Sequence, residues 1–579
     1  MELVNRLSVS IAGRARVALI ALLLLLAPLV SCAIPQTLQL TTIDLGIPAA
    51  ALNSPVVGQL PDTTPLHVRV TFKIDPNLLK QAQQQKIQPG QPSHLEQFAQ
   101  KLGIDSATYQ KIKDFFSAQG IALKLSKLRT HLALEGKAKT FSTVLQTKFV
   151  VHKYNNHTFF APDSPIKLPT SIANSIDAIT GLDNYSSPPQ HDFAMYFNSP
   201  LTGQHPAQDC YPLDQTLLPR EVAHAYGFDQ LWNNGWNGQN MTVNLVEVDG
   251  SYVSDIQNYF DCIQFKGHLK TINIDGKPRD ALGESTLDIQ MVAGLARSIN
   301  INVYQTDASN SDSDIWTQVN DMLQQIIDDN VNNANAGSVV SLSLGDAEQE
   351  ISQADMRAID QSIQQLTEVE HMRVFIASGD CGAFTNGVYG QLAVSFPASD
   401  PWAVSVGGTI LQIDQNGNRA NEVVWSDSSN QSSCKNRWGS GGGNSGVFSR
   451  MNWQNAPGVN NRFSQGNHRQ IPDVSAVAYA LAVYYNGQWG AVGGTSAAAP
   501  IWATGLALVN QGLLQHSRSF NFSPELFYQT NNRSSGLHPY YDVTNGNNLY
   551  YPATPGWDYA TGLGTPNLAD FYRVMLANS

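Results

Sequence analysis

Charged residues are scarce in this sequence. Asp, Glu, Lys and Arg make up 14% of the 579 residues, and the formal net charge at pH 7 is −12. The scarcity of Lys and Arg leaves no basic stripe, which argues against a nucleic-acid partner. Asn, Gln, Ser and Thr stand largely in place of the charges. Because these groups do not titrate, a surface built from them keeps its hydrogen bonds in acid.

Long apolar runs are absent after the first 33 residues, so no later segment is predicted to span a membrane. Within residues 1–33, three arginines precede the 14-residue run VALIALLLLLAPLV, which is typical of a secretory signal. The end of this run and the two residues after it, Leu29–Cys32, resemble a bacterial lipobox in which Cys32 is lipidated. Ordinary cleavage after Ala33 is the alternative. The sequence therefore predicts a secreted protein or a cell-surface lipoprotein, with a lipid on Cys32 as its one membrane attachment.

Cysteine is also scarce, with five residues in the chain. If Cys32 carries lipid, an even number remains for an oxidising compartment, namely Cys210, Cys262, Cys381 and Cys434. Four cysteines allow three pairings, and the sequence favours none of them.

The length predicts two folded units behind the leader. Residues 55–185 mix strand-like alternation, as in HVRVTFKI (67–74), with helical spacing behind serine caps, as in SATYQKIKDFFSAQG (106–120). The order is βααββαβ, which predicts an α+β, ferredoxin-like unit. Residues 34–54 and the Ser-, Pro- and Gln-rich residues 186–214 are interpreted as linkers.

Residues 215–579 follow a different pattern, in which apolar strands alternate with amphipathic helices. This pattern predicts an α/β domain with a parallel sheet covered by helices on both faces. Ligands of such folds bind at the carboxyl ends of the strands. Polar turns occupy three of the predicted ends: Asp249-Gly250, Gly345-Asp346 and Gly379-Asp380.

Ser496 is a candidate nucleophile, because it stands between a small-residue loop and a predicted helix in GGTSAAAPIWA (493–503). Pro500 fits the first turn of that helix, where its missing N–H costs little. The nucleophile elbow of an α/β-hydrolase is excluded. It requires G-x-S-x-G, and Ala498 replaces the last glycine.

A subtilisin-like triad is also excluded. Asp249 could supply its aspartate, but a histidine must then lie between Asp249 and Ser496. The three available histidines are His268, His371 and His468, and none of them is followed by glycine or opens a predicted helix. We interpret each of them as a surface or turn residue.

Carboxylates are the remaining candidates for a base. GESTLDIQMVAGLA (283–296) predicts a mostly buried helix on which Glu284 and Asp288, four residues apart, share one face. A buried pair of this kind shares a proton and titrates as a unit. On spacing alone, a solvated acidic face is the commoner explanation.

Several motifs of this sequence occur in the order found in the sedolisin (serine-carboxyl peptidase) family, which the chain therefore resembles. They are GESTLD, VVSLSLG, FIASGDCGAF, FPASDPWAVSVGGT, SGGGNSGVFSRMNWQ, RQIPDVSAVA, GGTSAAAPIWA, YDVTNGNN and GWDYATGLGTPN. The first unit, which ends in IDAITGLDNY, resembles the activation prodomain of kumamolisin-like members. The resemblance implies a subtilisin-like peptidase domain over residues 215–579. It also implies a prodomain over residues 55–185 that inhibits the enzyme intramolecularly until self-processing between Tyr185 and Pro219.

Motif by motif, the resemblance implies four catalytic roles. Ser496 corresponds to the nucleophile, Glu284 to the general base and acid, Asp288 to the carboxylate that orients Glu284, and Asp380 to a protonated donor for the oxyanion. The Ser496 amide, at a helix N-terminus, is a second candidate donor. A carboxylate base in a proton-sharing pair suits acidic operation.

The resemblance also implies one structural Ca²⁺ ion. Its expected ligands are the carboxylates of Asp542 and Asp558 and the carbonyls of Val543, Thr554 and Gly556, with water completing about six oxygens. Thr554 replaces the usual glycine, which a carbonyl ligand tolerates only if the backbone there avoids positive φ.

The sequence therefore predicts a monomeric, secreted acid endopeptidase made as a zymogen and acting on proteins and peptides. A tripeptidyl-peptidase of the same family is the first alternative, and it would need a blocked cleft and an anchor for the substrate amine. An inactive binding protein with the same fold and a neutral-pH serine hydrolase are the others. The loop SGGGNSG (440–446) is predicted to approach the substrate main chain, with a flexible surface loop as its alternative.

Overall fold

A computed structural model provides the structure of the chain. The residues that it describes are 39–84, 101–154, 157–186, 194–196, 216–308, 314–331, 339–385, 390–427, 434, 437–518, 523–533 and 535–578. The predicted leader with Cys32, most of the predicted linker 186–214 with Cys210, and most of the helix predicted from SHLEQFAQKLG lie outside the described residues.

The N-terminal unit contains nine strands and five helices in the described residues. Strands β1 to β9 are Leu40–Ile43, Val56–Gln59, Pro65–Phe72, Ala122–Leu125, His131–Lys137, Phe149–Tyr154, His157–Pro162, Ile166–Pro169 and Ile176–Thr180. Helices α1 to α5 are Ala49–Leu52, Pro76–Gln83, Ser106–Ser117, Ala138–Leu145 and Thr170–Ala173.

The main sheet of this unit has the predicted ferredoxin-like topology. Its order is β4-β5-β3-β9, and every neighbouring pair is antiparallel. A smaller sheet, β2-β6-β7, and the pair β1-β8 complete the unit. The cap of α3 was predicted incorrectly. Asp105 rather than Ser106 caps the helix, because its side chain accepts hydrogen bonds from the amides of Ala107 and Thr108.

The structure corrects the linker predicted over residues 34–54. Strand β1 pairs with β8, and Leu45, Ile47 and Ala51 lie in the core of the N-terminal unit. These short apolar pieces have no helical or strand period of their own, so the sequence pattern did not indicate that they pack.

The C-terminal unit and the segment that precedes it contain the remaining strands and helices. Strands β10 to β19 are Ala194–Tyr196, Thr242–Glu247, His268–Asn273, Asn300–Gln305, Val339–Leu342, Asp346–Ala347, Arg373–Ala377, Ser395–Phe396, Val404–Ile413 and Arg419–Val424. Strands β20 to β28 are Ser426–Asp427, Trp438–Gly439, Gly443–Ser449, His468–Ile471, Val474–Val477, Leu481–Tyr485, Gln488–Gly493, Tyr540–Tyr541 and Thr565–Pro566. Helices α6 to α14 are Pro219–Tyr226, Phe228–Trp232, Val253–Ile263, Glu284–Leu295, Ile315–Asn330, Gln353–Gln364, Thr495–Gln515, Glu525–Asn532 and Leu568–Ala577.

A parallel sheet with helices on both faces forms the centre of this unit, as predicted. Its order is β12-β13-β11-β14-β16-β18-β19, with β19 antiparallel and β24 pairing alongside β18. Alternate residues of β11 enter two different cores. Leu245 packs in the core that contains α9 and α12, and Val246 packs in the core that contains α10 and α11. This alternation is what a strand buried on both faces requires.

Helix α12 is long and apolar enough to cross a membrane, yet 94% of its most apolar window is buried inside the protein. It is therefore a core helix. Pro500 lies inside this helix rather than in its first turn, which corrects the sequence-based expectation.

The N-terminal unit packs against helices α10 and α11 of the C-terminal unit. Ala178 of β9 meets Ala354 and Ala358 of α11. At one side of this contact, the Arg69 guanidinium donates to the Asp321 carboxylate at 2.7 and 2.8 Å. The two units are therefore joined by a small-residue contact and by an ion pair.

Candidate active site

Helices α9 and α12 pack on the same face of the parallel sheet and bring Glu284 and Ser496 together. Glu284 is the first residue of α9 and Ser496 is the second residue of α12. The Ser496 hydroxyl lies near enough to the Glu284 carboxyl group to lower the pKa of that group. Only 6% of Ser496 and 2% of Glu284 is exposed. A serine hydroxyl beside a buried carboxyl group is the arrangement expected of an activated nucleophile.

Asp288 lies one helical turn from Glu284 and is fully buried. Its Oδ2 atom is 2.6 Å from the Ser343 hydroxyl, which follows β14. Its carboxyl group also forms a hydrogen bond with the carboxyl group of Glu247, the last residue of β11. Because one of two bonded carboxyls must carry the proton, Glu247 and Asp288 hold a proton between them. A carboxyl chain therefore runs from the serine into the core.

Burial dominates the acid–base behaviour of this chain. It raises the pKa of Glu284 well above its ordinary value, with the charge of Asp288 adding to the effect, while the neighbouring Ser496 hydroxyl opposes it. Burial likewise raises the pKa of Asp288 to about 8, against the hydrogen bonds from Ser343 and Glu247. The pKa of Glu247 lies well above its ordinary value because of burial and of the charge on Asp288. The cluster therefore retains protons that isolated carboxyls would lose.

Asp380 lies beside the nucleophile, in the turn after β16. Its Oδ1 atom accepts hydrogen bonds from the amide and the hydroxyl of Thr495, at 2.7 and 2.6 Å. Thr495 directly precedes Ser496, so one oxygen of Asp380 is fixed against the start of α12. The next residue, Cys381, forms a disulfide bond with Cys434, which links the turn to the chain between β20 and β21. Cys262 is also disulfide-bonded.

The three histidines that were excluded as the base lie away from the strand ends that carry Asp249 and Asp380. His268 begins β12, and His371 lies in the turn before β16. Both therefore lie at the amino ends of parallel strands, opposite the edge that carries Asp249 and Asp380. His468 begins β23, which pairs with β22 outside the main sheet.

Most of the glycine-rich loop 440–446 is buried and only Gly446 is exposed, which excludes a flexible surface loop. A Cβ atom on Gly441 would meet the Ser378 carbonyl oxygen at 2.0 Å, and one on Gly442 would meet the Tyr559 carbonyl oxygen at 1.9 Å. These two glycines are therefore required by the protein's own backbone, next to the turn that carries Asp380.

The five residues proposed to hold calcium surround one loop between β27 and β28. Oδ2 of Asp542 accepts the Gly556 amide at 2.9 Å, and Oδ2 of Asp558 accepts the Thr554 amide at 2.8 Å. Burial raises the pKa of Asp542, and it raises the pKa of Asp558 to about 7. Thr554 is not among the residues with positive φ, which meets the condition that the sequence set for a carbonyl ligand there.

Sequence reasoning missed Glu247, Ser343 and the position of Asp249. Glu247 and Asp249 are two residues apart at the end of an apolar strand, so they face the same side as Leu245, toward α9. A carboxylate inside the buried run NLVEV was the available signal. Ser343 carried no signal, because a serine after a strand is common.

Comparison with known proteins relates both units to one group of peptidases. Residues 53–185 match the family described as "Pro-kumamolisin, activation domain", and residues 276–556 match the "Subtilase family". Kumamolisin from Bacillus sp. (strain MN-32) is 27% identical over 505 residues, covering 82% of this chain and 84% of the relative. Sedolisin from Pseudomonas sp. (strain 101) is 25% identical, covering 88% and 87%.

The chain belongs to the sedolisin family. A solved structure, Pseudomonas sedolisin complexed with two molecules of pseudo-iodotyrostatin, agrees with 26% identity and a TM-score of 0.53, covering 63% of this chain and 100% of that one. Human tripeptidyl-peptidase 1 is also similar, with 28% identity, covering 71% of this chain and 72% of the relative. This family member is a serine-type peptidase, a hydrolase, and its activation prodomain makes it a zymogen.

Proposed function

We propose that this chain is a secreted acid endopeptidase in which Ser496 is the nucleophile and Glu284 is the general base and acid. The proximity of the Ser496 hydroxyl to Glu284, inside a buried carboxyl cluster at the start of two packed helices, carries the proposal. Asp288 orients Glu284, and protonated Asp380 stabilises the oxyanion. Peptide bonds of protein substrates are the target.

Acylation begins when the Ser496 Oγ attacks the scissile carbonyl carbon and its proton passes to Glu284. The carbonyl oxygen becomes an oxyanion, and the tetrahedral intermediate collapses when protonated Glu284 donates that proton to the leaving amine. A water molecule then repeats the sequence on the acyl-enzyme. Its proton passes to Glu284, the acid product leaves, and the proton returns to Ser496.

We assign two donors to the oxyanion. The Ser496 amide is among the first four amides of α12, which have no partner within the helix. The Asp380 carboxyl, anchored through Oδ1 to Thr495, supplies a proton donor only in its protonated form. The scheme therefore needs an ionised Glu284 and a protonated Asp380 together, so activity falls on both sides of an optimum.

The decisive test is a pH profile of casein digestion by the wild-type enzyme, by Ser496→Ala and by Glu284→Gln. We expect a wild-type maximum between about pH 3 and pH 5 and no turnover by either variant. A maximum near pH 8, or full activity of Glu284→Gln, would overturn the carboxylate mechanism.

Endopeptidase and tripeptidyl-peptidase action are separated by the substrate amine. An endopeptidase cleaves N-blocked peptides as well as free ones, whereas a tripeptidyl-peptidase needs the free amine and releases tripeptides. Mass spectrometry of the products from one peptide in both forms distinguishes the two. Release of tripeptides from the free form alone would contradict our proposal and favour tripeptidyl-peptidase action, as in the name of the human relative.

Self-cleavage in acid is proposed as the activation step. Strand β10, between the two units, pairs antiparallel with β26, and β26 leads directly to Ser496. The segment that joins prodomain and peptidase therefore passes beside the nucleophile. We expect Ser496→Ala to accumulate as one chain with its prodomain, and gel electrophoresis after acid incubation checks this. Processing of purified Ser496→Ala would show that another protease acts.

We further propose one structural Ca²⁺ ion, held by Asp542, Asp558 and the carbonyls of Val543, Thr554 and Gly556. Neither the exposed Asp542 carboxyl nor the buried Asp558 carboxyl has an ion-pair partner among the described residues, and a divalent cation would supply the missing charge. The part of the chain that the structure describes holds no group of three or more His, Cys, Asp or Glu side chains able to bind a metal. Carbonyl oxygens and water would therefore complete the shell.

Export by a signal peptide, with a lipid on Cys32, is proposed from the sequence of residues 1–33. Labelling with a fatty-acid precursor tests the anchor. We expect label on the wild type and none on Cys32→Ala, and equal labelling of both would remove the anchor from the proposal.

A further inference from the structure

Asp249 is a buried carboxyl that the proposed mechanism does not use. It lies two residues beyond the end of β11, and 2% of it is exposed. The sequence offers it as the aspartate of a subtilisin-like triad, a role that the absence of a suitable histidine excludes. Its surroundings indicate another role.

The Asp249 side chain caps the helix that carries Glu284. Its Oδ2 atom accepts the amides of Leu282 at 2.8 Å and Gly283 at 2.9 Å, and Oδ1 accepts the amide of Ser285 at 3.0 Å. The first amides of a helix have no partner within it, and Gly283, at the N-cap position, has no side chain to offer. Asp249 therefore fixes the backbone at the base.

Asp249 also belongs to the electrostatic environment of the base. The ionisable groups that face this region are Glu247 from β11, Glu284 and Asp288 from α9, Asp380 from the turn after β16, Tyr485 from β25 and Asp255 from α8. All of them are acidic or phenolic. A negative charge on Asp249 therefore acts directly against a negative charge on Glu284.

The cap does not depend on a charge. Burial raises the pKa of Asp249 to about 6, against the amides that it accepts, so Asp249 carries its proton over the working range of about pH 3 to pH 5 proposed above. A protonated carboxyl group still offers oxygen lone pairs to the amides of Leu282, Gly283 and Ser285.

We propose that Asp249 is a positioning residue whose cap on α9 holds Glu284 where it can take the proton of Ser496. The proposal rests on the role of Glu284 given above. Because the Asp249 side chain binds the backbone around Glu284 rather than the nucleophile, weakening the cap should lower kcat and change KM little.

The experiment measures kcat and KM on an N-blocked peptide at the wild-type pH optimum for wild type, Asp249→Asn, Asp249→Ser and Asp249→Ala. We expect Asp249→Ala, which removes the cap, to lower kcat by roughly tenfold to a hundredfold, the size typical of a misplaced catalytic group, with KM little changed. Asp249→Asn keeps an oxygen that accepts the amides and should retain more of kcat than Asp249→Ala. Asp249→Ser is included so that a folding failure in one variant leaves the others.

Asp255→Asn is the matched control. Asp255 is also a buried aspartate that accepts two backbone amides, from Asn486 at 2.6 Å and Gly487 at 3.2 Å, but these belong to the β25–β26 hairpin. We expect it to lower the melting temperature without lowering kcat. The proposal is overturned if Asp249→Ala and Asp249→Ser keep the wild-type kcat, or if they raise KM as much as they lower kcat. The wild-type pH profile separately tests the acid mechanism, so the two failures are distinguishable.

Discussion

At Glu284 and Asp288, burial changes what a carboxyl group does. On an exposed helix, two such residues would be ionised at neutral pH and would repel each other weakly. In this protein both are nearly inaccessible to water, one lies beside the Ser496 hydroxyl, and the other holds a proton with Glu247. The same side chains therefore become a proton relay because water is excluded from them.

Replacing the base tests this residue-scale interpretation. We expect Glu284→Gln to lower kcat by roughly 10²–10⁴-fold, the usual contribution of a positioned acid or base, because the amide cannot take the serine proton. Asp288→Asn keeps Glu284 and should retain measurable turnover. Steady-state kinetics of the matured enzymes measure both. An Asp288→Asn loss larger than that of Glu284→Gln would reverse the assigned roles.

At the scale of the helix, Pro500 imposes a requirement on its neighbours. A proline inside a helix cannot donate to the carbonyl four residues earlier, which is that of Ser496. The Ser343 hydroxyl lies 3.0 Å from this carbonyl oxygen and 2.6 Å from Asp288. The Ser343 hydroxyl therefore contacts both the Ser496 carbonyl, which has lost its helical partner, and the Asp288 carboxyl group.

Removing that hydroxyl is expected to affect stability and catalysis together. Ser343→Ala should destabilise the protein by about 1–3 kcal/mol, the cost of a buried polar group left without a partner, and should lower kcat more than it raises KM. Denaturant unfolding and kinetics measure the two effects. Ser341→Ala, on β14, is the matched control, because its buried hydroxyl has no hydrogen-bond partner among the described residues. Equal effects in both variants would contradict the bridging role.

The loop between β27 and β28 gives a second prediction at this scale. If a cation holds Asp542 and Asp558, chelation should lower the melting temperature of the mature enzyme, and Asp542→Asn should lower it similarly and remove the response to chelator. Thermal unfolding with and without added Ca²⁺ measures this. Asp414→Asn is the control, because Asp414 also accepts backbone amides but lies in an exposed turn. A melting temperature that chelation leaves unchanged would remove the calcium proposal.

At the scale of the whole molecule, the contact between prodomain and peptidase carries buried carboxyls from both sides. Asp183 of the prodomain faces Asp314 and Asp355 of the peptidase, and each of the three is at most 4% exposed. Burial raises the pKa of all three, with the neighbouring carboxylates adding to the effect for Asp183 and Asp314, while Arg357 opposes it at Asp355. Acid therefore favours this part of the contact.

The sign of the Asp183 contribution gives a pH-dependent prediction. Its folded pKa is raised to about 8 from 3.8, so its stabilisation is complete below the unfolded value and is lost as the pH rises toward the folded one. In a Ser496→Ala zymogen, we expect Asp183→Asn to raise the melting temperature at pH 8 by a few degrees, roughly the effect of about 1 kcal/mol or more, and to change it little at pH 4. Differential scanning calorimetry measures both.

Asp44→Asn serves as the control for this prediction. Asp44 is an exposed prodomain carboxylate that accepts one amide, from Gly46, so its replacement should change the melting temperature equally at both pH values. An Asp183→Asn zymogen that gains nothing at pH 8 would show that the facing carboxyls do not oppose docking.

The sequence by itself determined the order of strands and helices, the two-unit division and the four residues assigned to catalysis. These follow from periodicity and from motifs, which are properties of short stretches of chain. Only the tertiary structure decided that residues 40–52 pack into the prodomain, that Glu247 pairs with Asp288, that Asp249 caps α9 and that Ser343 serves the carbonyl freed by Pro500. Each of these contacts joins side chains or backbone groups from distant parts of the chain. Their formation depends on which strand ends and helix starts meet at one edge of the sheet, and no local pattern encodes that.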